Sequence, residues 1–399
     1  AGRDTAEGAL GADRLVSAAF GPTTGCREDP GLEVYEERLA VMDGASLQQE
    51  AHGFARAMHD TGLVSDYHTV LLRWLVANGE SKLLPAALGL SNTGIDCLRC
   101  YEDLITHLIQ EAVWPATSQS VLGLAMMLER GILYVPPVGP ALWRQSAMTL
   151  APTVEQRLAA AFGDAVTPRT QLLAGAINLL GLPLGIGQGN NPTCQSARAL
   201  SMWSYSDPDY LLYLVAQAAA FDDVIMNFEG QPIDGAAARA AAPSMGKWIN
   251  RELHGWWVGR EFNIAVDVND GALVGLEDFL RSFWATYHPL YNGNQPVIHP
   301  QPAGVAVTDS LGRFIGWHAI TILRVALDQW QTMRVYFFNP NNDSGQNWGN
   351  GVEVSTHGNG ERFGEASLPF ADFASRLYIF HSDPLQRVGL PSVPAEELQ

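Results

Sequence analysis

The hydrophobic period of this chain changes once, and that change constrains the fold more than any other feature. Up to about residue 165, apolar residues recur three and four apart. Leu39, Met42 and Leu47 lead into the run 51–58, and Val70, Leu71, Trp74 and Leu75 repeat the spacing. Leu98, Tyr101, Leu104, Ile105 and Leu108 do the same, followed by 121–128. Such spacing gives each segment one apolar helical face. Gly79, Pro85, Gly94, Pro115 and Pro136-Pro137 punctuate the run, so about five or six helices are expected.

The pattern differs after Pro168. A Gly-rich loop from Gly185 to Asn190 leads into an expected helix from Cys194 to about Ser204. A second is expected from Tyr210 to about Asn227, and an Ala-rich stretch follows Gly235. Then β-branched and aromatic runs dominate, at 263–268, 305–307, 314–325, 335–338 and 377–380. Turns such as Asp309-Ser310-Leu311-Gly312 bound them. Helices first and strands last predict an α+β protein. The expected division is a flexible arm over 1–30, a helical domain over 31–168, and an α+β domain with an antiparallel sheet over 169–399.

Charge and composition exclude several classes. There are 24 Lys+Arg against 42 Asp+Glu, a formal net charge of −18, and no basic run. Nucleic acid and anionic membrane surfaces are therefore not expected partners. With 47% hydrophobic and 17% charged residues the chain can bury a core. The longest apolar stretch, 172–187, carries Asn178, Pro183 and several glycines, so no membrane span is expected. Four cysteines, at 26, 97, 100 and 194, are too few for a disulfide scaffold. A reducing cytoplasm, or delivery into a host cytoplasm, suits them better than a disulfide-rich extracellular setting. The chain begins at Ala1 without a signal-peptide pattern and reads as a mature fragment.

The candidate chemistry centres on Cys194. It follows Gly187-Gln188-Gly189-Asn190-Asn191-Pro192-Thr193, where Thr193 is a fair N-cap, so Cys194 opens a helix. Free N–H groups and the helix dipole there favour the thiolate, the reactive form. The Cys194 amide can serve an oxyanion, and Gln188, six residues upstream, can supply a second donor. A thiol nucleophile needs a fixed base. Of the ten histidines, His318 stands out, because it opens the apolar run Ala319-Ile320-Thr321-Ile322-Leu323. The next strand ends at Asn339, and a meander would set its amide beside His318 to orient the ring. Asp309 and Asp343 are alternative orienters. Trp348 is either a shield over the pair or simple packing.

The order Gln188, Cys194, His318, Asn339 resembles that of papain-like cysteine proteases. That family pairs an oxyanion Gln, six residues before a helix-opening Cys, with a strand-borne His-Ala-hydrophobic segment. It ends with an Asn trailed by Trp-Gly-x-x-Gly, where this chain has the similar but one residue shorter Trp348-Gly349-Asn350-Gly351. His318 and Asn339 lie 124 and 145 residues past Cys194, near the roughly 130–150 usual for such enzymes. The likeness covers motifs within 185–355, and Gln195-Ser196-Ala197 stands where the family has small residues and Trp. It implies a papain-like second domain and a Cys-His-Asn triad hydrolysing an amide or isopeptide bond of a protein or peptide substrate. It implies no metal and no organic cofactor. The same level of likeness takes in ubiquitin-type isopeptidases, protein-glutamine deamidases, transglutaminases and bacterial effector proteases. A peptidoglycan amidase is more distant, and a non-catalytic binding module is the reading of another class. The helical domain would hold a protein substrate or partner.

Other signals read as structural. Gly185-Ile186-Gly187-Gln188-Gly189 lacks the preceding strand of a dinucleotide site, and its third glycine is misplaced. Cys97 and Cys100 form a lone CxxC without a second metal-binding pair. His52, His59 and His68 have no ligand partners at helical spacing. The tryptophans in 248–257 read as core or as a substrate wall.

Overall fold

A computed structural model describes residues 6–187, 194–228, 231–234, 301–309, 311, 313–341, 345–349 and 351–380. Gln188, Thr193, Asp343, Asn350, the run 263–268, the Ala-rich stretch past Gly235 and the tryptophans of 248–257 lie outside these. The chain divides into two compact units. One runs to Leu182 and takes back Pro208–Asp223, while the other holds Pro183–Asp207 and the chain from Val224.

The first unit is helical. It comprises α1 (Ala6–Ala19), α2 (Thr24–Arg27), α3 (Leu32–Val41), α4 (Gly44–Thr61), α5 (Asp66–Ala77), α6 (Leu84–Leu88), α7 (Asn92–Cys100), α8 (Glu102–Ala112), α9 (Ser120–Glu129), α10 (Val138–Ala147), α11 (Pro152–Phe162) and α12 (Pro168–Gly181). Helix α13 (Cys194–Ser206) belongs to the second unit, and α14 (Pro208–Phe221) returns to the first. Side chains cap several starts. The Asp43 carboxylate accepts the Ser46 N–H at 2.7 Å, and Thr167 Oγ1 accepts that of Thr170 at 3.2 Å. Gly62, at φ +72°, closes α4 in the left-handed conformation that favours glycine. Helix α9 is apolar on most sides and nearly all buried, as a central helix must be. Helix α12 lies against it where two glycines meet. A Cβ on Gly181 would stand 1.9 Å from the Gly123 carbonyl oxygen.

Three expectations are corrected here. Residues 31–165 hold nine α-helices, α3 to α11, rather than five or six. The apolar run from Leu98 to Leu108 breaks at Tyr101, whose φ of −126° ends α7 before α8 begins. The expected arm over 1–30 contains α1 and α2, and Cys26 is fully buried beside Gly21. The expected boundary at 168 is instead the first residue of α12, since proline suits a helix start. Leu173, Ile177 and Leu180 join the core that α9 fills, and the chain passes into the second unit only at Pro183.

In the second unit, the helix expected to run to Asn227 is α14 and ends at Phe221. Asn227 lies in β1 (Ile225–Phe228), paired antiparallel with β2 (Gln231–Asp234). The main sheet contains β3 (Gln301–Thr308), β4 (Phe314–Leu327), β5 (Met333–Phe338), β6 (Ala366–Pro369) and β7 (Leu377–Phe380), with α15 (Phe370–Ala374) before β7. Its order is β6-β5-β4-β3-β7, and every pair is antiparallel. Period-2 alternation turns Ala303, Val305, Ile320, Ile322, Val335 and Phe337 to one buried cluster with Trp348 and Phe373. An α+β protein with a helical N-terminal unit and an antiparallel sheet is what the change of period predicts. No helix among the described residues is long and apolar enough to cross a membrane.

Candidate functional site

His318 is the fifth residue of β4, inside the strand rather than at its opening. It faces Val305 across β3, which turns the imidazole to the buried side of the sheet. Only 7% of the residue is exposed. On the other flank Thr321 faces Phe338, the last residue of β5. Asn339 follows one step on, diagonal to His318 and within side-chain reach. The meander therefore does bring the two together.

Their hydrogen bonds set the tautomer. His318 Nε2 and Asn339 Oδ1 are 2.7 Å apart. The Asn341 backbone N–H donates to the same Oδ1 at 3.1 Å, which marks that atom as the acceptor. Nε2 must then carry the proton, and Nδ1 keeps its lone pair. Asn339 Nδ2 donates to Gln346 Oε1 at 2.5 Å, so the amide is held from both ends. Trp348, fully buried, meets the imidazole edge-on with centroids 6.3 Å apart. It packs in the core against Phe337 and Phe373. Burial holds the imidazole below its ordinary basicity. The Asn339 hydrogen bond works against this, and the Arg198 charge adds to it.

Cys194 is the first residue of α13, half-buried and a free thiol. It stands where a helix favours an anion. Helix α13 packs against β4. Arg198, one turn after Cys194 and on the same helix face, is fully buried. Its Nη1 donates to the Ala303 carbonyl of β3 at 2.9 Å. Among the described residues no hydrogen bond joins the Cys194 thiol to His318. Gln188 lies outside those residues. The alternative orienter Asp309 is engaged elsewhere: its carboxylate accepts the Leu311 and Arg313 N–H groups and Arg313 Nε. Those donors hold it below the usual carboxylate range.

Two residues of this site escape sequence reading. Gln346 sits within the Asn-rich segment after Asn339, and nothing in that segment singles it out. Arg198 carries one signal, its spacing of four from Cys194 on a helix.

The remaining candidates are structural. His68 and His59 bond the Ala87 and Leu88 carbonyls, and His107 bonds Ser146 Oγ. Cys97 is buried, and burial pushes its thiol up to about 11, while Cys100 is exposed. Among the described residues no group of three or more His, Cys, Asp or Glu could hold a metal ion. No protein family, curated protein or solved structure matches the chain.

Proposed function

We propose that this protein is a thiol amidohydrolase of papain-like type. The supporting observation is the buried His318–Asn339 pair, which leaves Nδ1 as a free base in the same compact unit as a helix-opening cysteine. In this reading Nδ1 of His318 takes the Cys194 proton, and the thiolate attacks an amide carbonyl of a protein substrate, forming a C–S bond. His318 then gives its proton to the departing nitrogen, and the C–N bond breaks. Water, deprotonated by Nδ1, releases the acyl group and regenerates the thiol. Asn339 keeps the imidazole in one tautomer through both proton transfers. The Cys194 amide, with Gln188, serves the oxyanion. A main-chain amide makes the enzyme a protease and a glutamine side chain makes it a deamidase. An amine in place of water makes it a transglutaminase.

The test is alkylation of each cysteine by iodoacetamide across pH 4 to 9, mapped by mass spectrometry, for wild type beside His318→Ala. Selective labelling of Cys194 at acidic pH, lost in the variant, is the expected result. Labelling of Cys194 no faster than exposed Cys100 would remove the chemical basis of the proposal and favour a non-catalytic binding module.

A further inference from the structure

We infer that the helical unit carries a binding site for a small zwitterion, one bearing a carboxylate and an ammonium group, as a free amino acid or a short peptide does. The site is a cleft of about 520 Å³ lined by α1, α2 and α4. That size is usual for small-molecule sites. It uses no residue of the thiol chemistry proposed above and does not depend on it.

Contacts within the helical unit shape the walls. On α4, Arg56, Ala57 and Asp60 follow Gly53 by three, four and seven residues, so the four share one helix face. Helix α1 packs against α4 and contributes Asp13, Arg14 and Ser17. Gly53 lets Pro22 lie close, since a Cβ there would stand 2.4 Å from that of Pro22. Arg27 of α2 closes another side. Its Nη1–H donates to Asp13 Oδ1 at 3.2 Å and its Nη2–H to Ser17 Oγ at 2.6 Å. Asp13 compensates the Arg27 charge, so that pair is a strut of the wall.

The other charges of the cleft are uncommitted. Arg14 Nη2 donates to the Asp60 main-chain carbonyl at 3.2 Å, which leaves the Asp60 carboxylate out of that contact. Among the described residues neither Arg14 nor Arg56 pairs with a carboxylate, and Asp60 pairs with no cation. Arg56 and Asp60 are one turn apart yet unpaired, and a basic residue ahead of an acidic one is the weaker order for such a pair. The cleft therefore offers two guanidiniums and one carboxylate. Guanidinium N–H groups suit a ligand carboxylate, which they can hold in bidentate fashion. Asp60 suits an ammonium group and opposes a dense dianion such as phosphate. Pro22 and Ala57 give the aliphatic part of the ligand an apolar strip.

The test is binding to the full-length protein. Free amino acids and glycyl dipeptides are tried singly at millimolar concentration, read as a rise in Tm. A Kd by calorimetry follows for the best probe. At least one probe should raise Tm, and its N-acetyl and amide forms, each lacking one charge, should bind roughly tenfold more weakly. Whether an amino acid or a dipeptide binds more tightly identifies the occupant, and either supports the site. Arg56 and Asp60 are both exposed, so changing them spares the core. Arg56→Gln should weaken the zwitterion and its N-acetyl form and leave the amide form unchanged. Asp60→Asn should weaken the zwitterion and the amide form and leave the N-acetyl form unchanged. A merely structural role would lower all three together, and that result would overturn the inference. So would no rise in Tm with any probe, inorganic phosphate binding as tightly as the zwitterion, or binding that both variants leave unchanged.

Discussion

A single hydrogen bond carries most of the functional argument, and it can be tested by cutting it. Asn339→Ala leaves the buried Nε2–H of His318 without its acceptor, a loss of about 1–3 kcal/mol. If all of it is lost in the transition state, kcat/KM on an amide substrate falls about 5- to 150-fold. Gln346→Ala frees the other end of the same amide and should lower the rate in the same direction, by less. Steady-state kinetics on any cleavable amide measure both, and a wild-type rate for Asn339→Ala would exclude it as the orienter. His318 and Asn339 are legible in the sequence because a short meander lays β5 back along β4, which sets Asn339 diagonal to His318. Gln346 is not legible, because a glutamine in a loop has no period. Its role follows only from the contact its side chain makes with Asn339.

Local interactions set two helix starts, with Asp43 capping α4 and Thr167 capping α12. Asp43→Ala should lower Tm slightly, as measured by calorimetry. The contact of α9 with α12 is a matter of packing. Gly181→Ala puts a methyl group into the Gly123 carbonyl, and the helices must part. Strain of about 1–3 kcal/mol or more is expected, seen as a drop in Tm larger than that of Asp43→Ala. An equal or smaller drop would mean that the pair separates at little cost. Periodicity underestimates the number of helices because it does not register a break such as Tyr101, where the apolar spacing carries on while the backbone turns. The expectation of a helix to about Asn227 fails for a similar reason, since four-residue β1 is too short to show a period of two.

At the scale of the molecule, the chain crosses between its two units more than once, because α14 returns to the helical core through Leu212. A fragment starting at 169 therefore carries α12 and α14 without their packing partners. It should aggregate where the full chain stays folded, as size-exclusion chromatography and circular dichroism would report. A soluble, cooperatively folded fragment would contradict this. Acid stability follows from His68, which burial holds at about 4 against an ordinary 6.5. Between those values the unfolded chain binds a proton that the folded chain refuses, so stability falls as pH drops through the window. The loss should reach about 3 kcal/mol at the acid end, measured by denaturant titration, and His68→Asn should flatten the curve. Period, charge and spacing act locally along the chain, so they already hold the order of helices before strands, the acidic net charge, and the Cys194, His318 and Asn339 candidates. Tertiary structure alone decided where the units divide, which cysteines are buried, and how Asn341 and Gln346 fix the tautomer of His318. Those depend on contacts between residues far apart in sequence, and burial and hydrogen-bond partners exist only once those contacts form.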